Sequence, residues 1–318
     1  MKSRAALLAV LLLATGCATA PSSSERIDFD SANYGFLNEV MTGDAGQPQG
    51  VWGYLMTPDS PPPWPAVILL HSASGPGSQD WFYAELLRDA GYAAFVVDSF
   101  GARGVTRTVD DQTLVTEASI LADAFAARRA LAADPRIDGD SIALVGFSKG
   151  GIAALYGALE TIRAAYGGDR FAAHAAFYPW CGLRPLDTTT TGAPVLIQMG
   201  DNDNVTPAVL CRDLVASMAG EPVDLVIYPG ARHAFDHPTL DGLDWVPVTG
   251  MIPSDCLIEE TGPGVFVERT TGDTVDGASL GDVLTACGRR GAEAGGNAEA
   301  AAAAQQALLD FLAAAFSP

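Results

Sequence analysis

Ile142-Ala143-Leu144-Val145-Gly146-Phe147-Ser148-Lys149-Gly150-Gly151 is an apolar run that ends in a serine held between glycines, followed by helix-forming residues over 152–159. A short apolar run reads as a strand buried on both faces. A serine at the joint from such a strand into a helix has the layout of a nucleophile elbow. The turn puts the serine in a strained backbone conformation, and the flanking positions must lack side chains so that neighbouring elements can pack close. The pentapeptide alone also arises by chance, so its weight comes from the strand before it and the helix after it.

Working outward, residues 65–70, 93–97, 172–177, 194–199 and 223–228 read as further strands, and 51–56 as a short one that ends before Pro58. Helical stretches are expected over 81–89, 112–132 and 207–218, with a closing helix capped by Asn297 and running to Phe316. Buried strands alternating with amphipathic helices predict an α/β fold: a mostly parallel central sheet with helices on both faces. In such sheets the active site lies at the carboxyl ends of the strands. The loops of interest therefore begin at His71, Ser99, Ser148, Pro179, Gly200 and Pro229. Residues 240–292 lack clear periodicity and are too long for an ordinary connection, which marks an insertion or lid.

The chain has 318 residues, 48% hydrophobic and 18% charged, which fits one large globular domain. Its net charge of −20 repels nucleic-acid phosphates and anionic lipid headgroups, so a nucleic-acid partner is not expected. At the amino end, Lys2 and Arg4 precede an apolar stretch over 5–14, too short to span a bilayer and suited to a secretory signal. Ala18-Thr19-Ala20 offers a cleavage site, but Pro21 follows it directly. Leu13-Ala14-Thr15-Gly16-Cys17 resembles a bacterial lipobox, with Ala14 a mild departure. That resemblance implies a signal peptide over 1–16, lipidation of Cys17, a tether over 17–25 and a single domain over 26–318. The protein would then be exported to the bacterial cell envelope, facing the periplasm, with membrane contact only through the anchor. The remaining cysteines, Cys181, Cys211, Cys256 and Cys287, allow three connectivities in an oxidising compartment. The expected pairs are Cys181 with Cys211 and Cys256 with Cys287, because each brackets one loop region near the active face.

Serine is a weak nucleophile at neutral pH and needs a general base in hydrogen-bond reach, itself oriented by a third group. Of four histidines, His71 ends an early strand and His174 sits inside an apolar one, while His233 and His237 follow the last strand. Ser148, Asp203 and His233 occur in the order serine, acid, histidine. Asp203 lies in the loop Gly200-Asp201-Asn202-Asp203-Asn204-Val205-Thr206-Pro207, where Asp201 is the competing acid.

Taken together, His71-Ser72-Ala73-Ser74-Gly75, Asp98-Ser99-Phe100, Gly146-Phe147-Ser148-Lys149-Gly150-Gly151, Gly200 with Asp203 and Pro207, and Gly230-Ala231-Arg232-His233-Ala234-Phe235-Asp236 resemble the dienelactone hydrolase family. The resemblance covers roughly 50–238 and the closing helix. It implies an α/β-hydrolase fold and a Ser148-His233-Asp203 triad, since the family's acid stands three residues after a glycine and four before a proline. Two departures matter. The founding members carry a cysteine where this chain has Ser148, and a glutamate at the position aligned with Ser72. The fold and triad carry over, and the dienelactone substrate does not.

The chemistry implied is acyl transfer on a small-molecule ester or lactone, with the backbone N–H groups of Ala73 and Lys149 as oxyanion donors. The Lys149 side chain is expected to point outward. Arg103, in an active-face loop, could grip a substrate carboxylate, or its guanidinium could bond loop carbonyls instead. Trp81, Phe100 and Trp180 are candidates to line the pocket. Asp201-Asn202-Asp203-Asn204 begins like a calcium loop, but Val205 and Thr206 break that pattern, and no zinc spacing or cofactor motif appears, so no metal and no cofactor are expected. A prolyl-type peptidase normally carries a gating domain for which this chain has no room. A second reading, a non-catalytic envelope lipoprotein using the fold as a binding module, predicts a broken triad or a filled pocket.

Overall fold

The computed structural model describes residues 20–317. The expected signal peptide and the expected lipidation site Cys17 lie outside them. The chain begins with β1 (Glu25–Asn33), α1 (Leu37–Met41), β2 (Gln47–Met56), β3 (Trp64–Leu70), α2 (Ser78–Asp89) and β4 (Ala93–Asp98). It continues through α3 (Glu117–Ala132), β5 (Ile137–Phe147), α4 (Lys149–Tyr156), α5 (Glu160–Ala165), β6 (Ala173–Phe177) and the short β7 (Leu183–Arg184). Then follow β8 (Val195–Gly200), α6 (Ala208–Ser217) and β9 (Val223–Tyr228).

Eight of these strands form one sheet in the order β1-β2-β4-β3-β5-β6-β8-β9. The first two pairings, β1 with β2 and β2 with β4, are antiparallel, and the rest are parallel. Ala66 to Leu70 and Ile142 to Val145 are essentially inaccessible, as strands covered on both faces must be. The strand β1 was not legible as part of the sheet, and it starts at Glu25, the last residue of the expected tether. Its Ile27 and Phe29 alternate with charged residues, the pattern of a half-exposed edge strand that a search for continuous apolar runs passes over.

Residues 240–292 are built as well. They contain β10 (Val246–Val248), β11 (Ile258–Gly262), β12 (Val265–Glu268), β13 (Thr274–Val275) and α7 (Leu280–Cys287), and β14 (Ala292–Ala294) follows. β14 returns to pair with β10, while β11 pairs in parallel with β7, so a small sheet β13-β12-β11-β7 roots the segment in the main domain. Strands of two to five residues carry too little period to be read from sequence. The disulfides are Cys181–Cys211 and Cys256–Cys287, as expected. The first ties the segment after β6 to α6, and the second closes the segment around β11 to β13. Last comes α8 (Ala298–Ala315), whose cap Asn297 accepts a hydrogen bond from the N–H of Ala300 at 3.1 Å.

Candidate active site

The elbow forms because β5 must hand the chain to α4 within one residue. Ser148 takes φ 51° and ψ −109°, a conformation that costs a non-glycine residue on the order of 1–3 kcal/mol. Its N–H is fixed by the carbonyl of Phe177 at 2.9 Å. The glycines are required by close approach. A Cβ on Gly146 would run into the Gly150 carbonyl, and one on Gly150 into the Leu70 carbonyl.

The Ser148 hydroxyl lies 2.9 Å from His233 Nε2, and His233 Nδ1 lies 2.8 Å from Asp203 Oδ2. Asp203 is buried, and its carboxylate is fully engaged. Oδ1 accepts from the N–H groups of Val205 at 2.8 Å and Thr206 at 2.9 Å, while the Thr206 hydroxyl lies 2.9 Å from Oδ2. With Oδ2 an acceptor only, the imidazole carries its proton on Nδ1 and leaves Nε2 free to accept from serine. Asp201, the competing acid, instead accepts from the Gly230 N–H at 2.6 Å and is exposed. His237 caps a short turn through Thr239, and His174 is a core residue with Nδ1 2.9 Å from the Ala154 carbonyl.

Around the triad side chains lies support that is almost invisible from the residues alone. The Tyr178 ring meets His233 edge-on at 4.7 Å. Its hydroxyl donates to Asp236 at 2.8 Å, which also accepts from Tyr83 at 2.6 Å and Gln79 at 3.1 Å. Burial raises the Asp236 carboxyl above its usual range despite these donors. The return of the insertion braces the same loops: the N–H of Gly295 donates to the His233 carbonyl at 3.1 Å, and that of Glu293 to Asn204 Oδ1 at 2.9 Å. No spacing in the sequence links 293–295 to 204 and 233. Only Asp236 offered a signal, by standing within the histidine motif.

A cavity of about 90 Å³ opens at Ser148, with Ala73 and Lys149 on its wall. Trp180 lines it, whereas Phe100 packs on His71 and Trp81 on Tyr54. Most of the remaining wall is aliphatic. A larger groove of about 630 Å³ contains none of Ser148, Asp203 or His233, so the smaller cavity is the one that serves the serine.

Two expectations are corrected here. The Lys149 side chain does not point outward: it is 2% exposed, and its ammonium reaches Glu117 at 2.8 Å, the Gln112 carbonyl at 3.0 Å and Gln112 Oε1 at 3.2 Å. An ammonium so close to the elbow is tolerated because a carboxylate at the start of α3 neutralises it. Arg103 does not line the cavity at Ser148. Its guanidinium is spent on Asp123 through two contacts at 2.8 and 2.9 Å, on Asn33 at 2.5 Å and on the Ser99 carbonyl at 2.6 Å. It is an internal tie between β1, α3 and the loop after β4. Among the described residues, no group of three or more His, Cys, Asp or Glu side chains is arranged to hold a metal ion.

An uncharacterized protein of Mycobacterium tuberculosis (strain ATCC 25618 / H37Rv) is 31% identical over 193 residues, covering 56% of this chain and 66% of that protein, and its counterpart in strain CDC 1551 / Oshkosh matches equally. The chain thus spans just under two thirds of the length of these curated relatives. Among solved structures, a dienelactone hydrolase-like promiscuous phosphotriesterase from metagenomic libraries shares the fold at TM-score 0.56 and 18% identity, covering 93% of this chain and 100% of that one. Residues 51–245 match the dienelactone hydrolase family. That match takes in the sheet from the second half of β2 to β9 together with the whole hydrogen-bonded path from Ser148 to Asp203, and the chain belongs to the dienelactone hydrolase family.

Proposed function

We propose that the protein is a serine hydrolase that cleaves a carboxylic ester or lactone through an acyl-enzyme on Ser148. The observation that carries this reading is the unbroken path from the strained Ser148 hydroxyl through His233 to a buried, fully engaged Asp203. His233 Nε2 takes the serine proton as Oγ attacks the carbonyl, and Asp203 stabilises the imidazolium that forms. The tetrahedral oxyanion faces the backbone N–H groups of Lys149 and Ala73, each such donor being worth about 3–4 kcal/mol in the transition state. His233 then returns the proton to the leaving alkoxide. Water enters by the same base and releases the acid.

The test is hydrolysis of p-nitrophenyl esters from acetate to decanoate, with Ser148→Ala alongside and fluorophosphonate labelling of both. The expected result is turnover that falls by several powers of ten in the variant, together with loss of the label. Absence of both turnover and label in the wild type would instead favour a binding module that keeps the fold without the chemistry.

The protein is proposed to work at the bacterial envelope, held by acyl chains on Cys17. Two disulfides suit an oxidising compartment and support that reading. Metabolic labelling with palmitate should mark the protein, and Cys17→Ser should remove the mark. A label that persists would rule out this anchor.

A further inference from the structure

The cavity at Ser148 has an unusual wall. Ile252, Ile258, Leu280 and Leu284 come from the insertion beyond residue 245, outside the part of the chain that matches the family, and Cys256–Cys287 clamps that segment. These side chains face Leu121 and Ile152 of the main domain, so the space beside the serine is apolar on both sides. Its charged groups are Lys149 and Glu117. An ammonium has three protons to donate, and those of Lys149 are met by Glu117, the Gln112 carbonyl and Gln112 Oε1, so none is left for a ligand. Glu117 is different. One of its oxygens holds Lys149, the other accepts no hydrogen bond among the described residues, and its side chain is 26% exposed. Arg103, one candidate to receive a substrate carboxylate, is spent on Asp123.

We propose that this cavity takes the uncharged, apolar acyl group of an ester and rejects an acyl group that ends in a carboxylate. The saturated Lys149 together with the second oxygen of Glu117 sets the sign of the selection, and the clamped insertion supplies one wall. The inference rests on the serine-hydrolase reading above. A carboxylate brought into an apolar space loses its hydration, finds no free cation and meets Glu117, and all three oppose binding. An aliphatic acyl chain loses nothing and gains burial against Ile252 and Leu284.

The test compares two 4-nitrophenyl glutarates on the wild-type protein, the free acid, whose far end is charged, and its methyl ester, which is neutral and one methyl larger. Expected is a kcat/KM for the methyl ester at least about 100-fold above that for the free acid, since the carboxylate gives up its hydration with no free cation to receive it. Glu117→Gln releases the Lys149 ammonium and should narrow the ratio about tenfold or more. Because that change strands a buried cation and risks misfolding, Leu284→Ala is measured beside it. Leu284→Ala should shift the preference among neutral esters toward longer acyl chains while leaving the charge ratio in place. Turnover of the free acid at parity with the methyl ester, with Ser148 labelled normally, would overturn this proposal alone. A folded Glu117→Gln that keeps the wild-type ratio would remove Glu117 from it. No turnover of either ester and no label on Ser148 would overturn the hydrolase reading, and this one with it.

Discussion

Replacing Asp203 by asparagine would keep the two loop hydrogen bonds to Oδ1 and change the partner of His233 from an acceptor to a donor. The imidazole would turn to the tautomer with its proton on Nε2, facing the serine it should deprotonate. We expect Asp203→Asn to fold normally and to lose about 10⁴ in kcat, read from steady-state kinetics with circular dichroism as the control for folding. Asp80 and His174 make a second residue-scale case. Burial raises the Asp80 carboxyl to about 7 from 3.8, so its contribution to stability is complete below pH 4 and drains away as the pH rises toward 7. Burial lowers His174 to about 4 from 6.5, so its contribution is complete above 6.5 and is lost as the pH falls toward 4. The two oppose each other across the same window. Urea unfolding of Asp80→Asn should therefore gain on the wild type steadily from pH 4 to pH 7. A constant difference between the two proteins would mean that Asp80 ionises normally.

At the scale of elements, the elbow depends on α4 lying against the ends of β5 and β3. A methyl group on Gly150 would have to displace the Leu70 and His71 carbonyls, which are backbone and cannot yield by turning a side chain. Gly150→Ala should cost about 1–3 kcal/mol or more and should abolish fluorophosphonate labelling even where the protein stays folded. Gly50→Ala is the matched control, since a Cβ there meets nothing within 4 Å. Its melting temperature and labelling should equal those of the wild type. Equal behaviour of the two variants would show that α4 has room to move.

For the molecule as a whole, Arg103 fastens the antiparallel edge of the sheet to the helical layer. With the pair to Asp123 almost completely buried, Arg103→Met would leave a carboxylate in the interior, at a cost of about 3–5 kcal/mol. The double variant Arg103→Met with Asp123→Leu should recover much of that loss in urea titrations, because replacing both charges removes the stranded one. Acyl-chain preference should be the same in all three proteins. A change in preference without a change in stability would return Arg103 to the role of substrate ligand.

The parallel core, the serine elbow and the order of serine, acid and histidine were all legible in the residues, because buried strands and tight turns impose local demands that a few neighbouring positions must meet. The disulfides were legible only as one choice among three connectivities, and the pairs that bracket one loop region each are those that form. What only the tertiary structure decided was which distant groups share a space. Lys149 turns inward because Glu117, at the start of α3, lies beside it, and Arg103 is consumed because β1 and α3 bring it Asn33 and Asp123. One wall of the cavity comes from a segment whose strands are too short to show a period and whose place is set by β7 and a disulfide. Local sequence carries the backbone's own preferences. Charge pairing and cavity shape depend on contacts between residues far apart in the chain, and those exist only once the chain has folded.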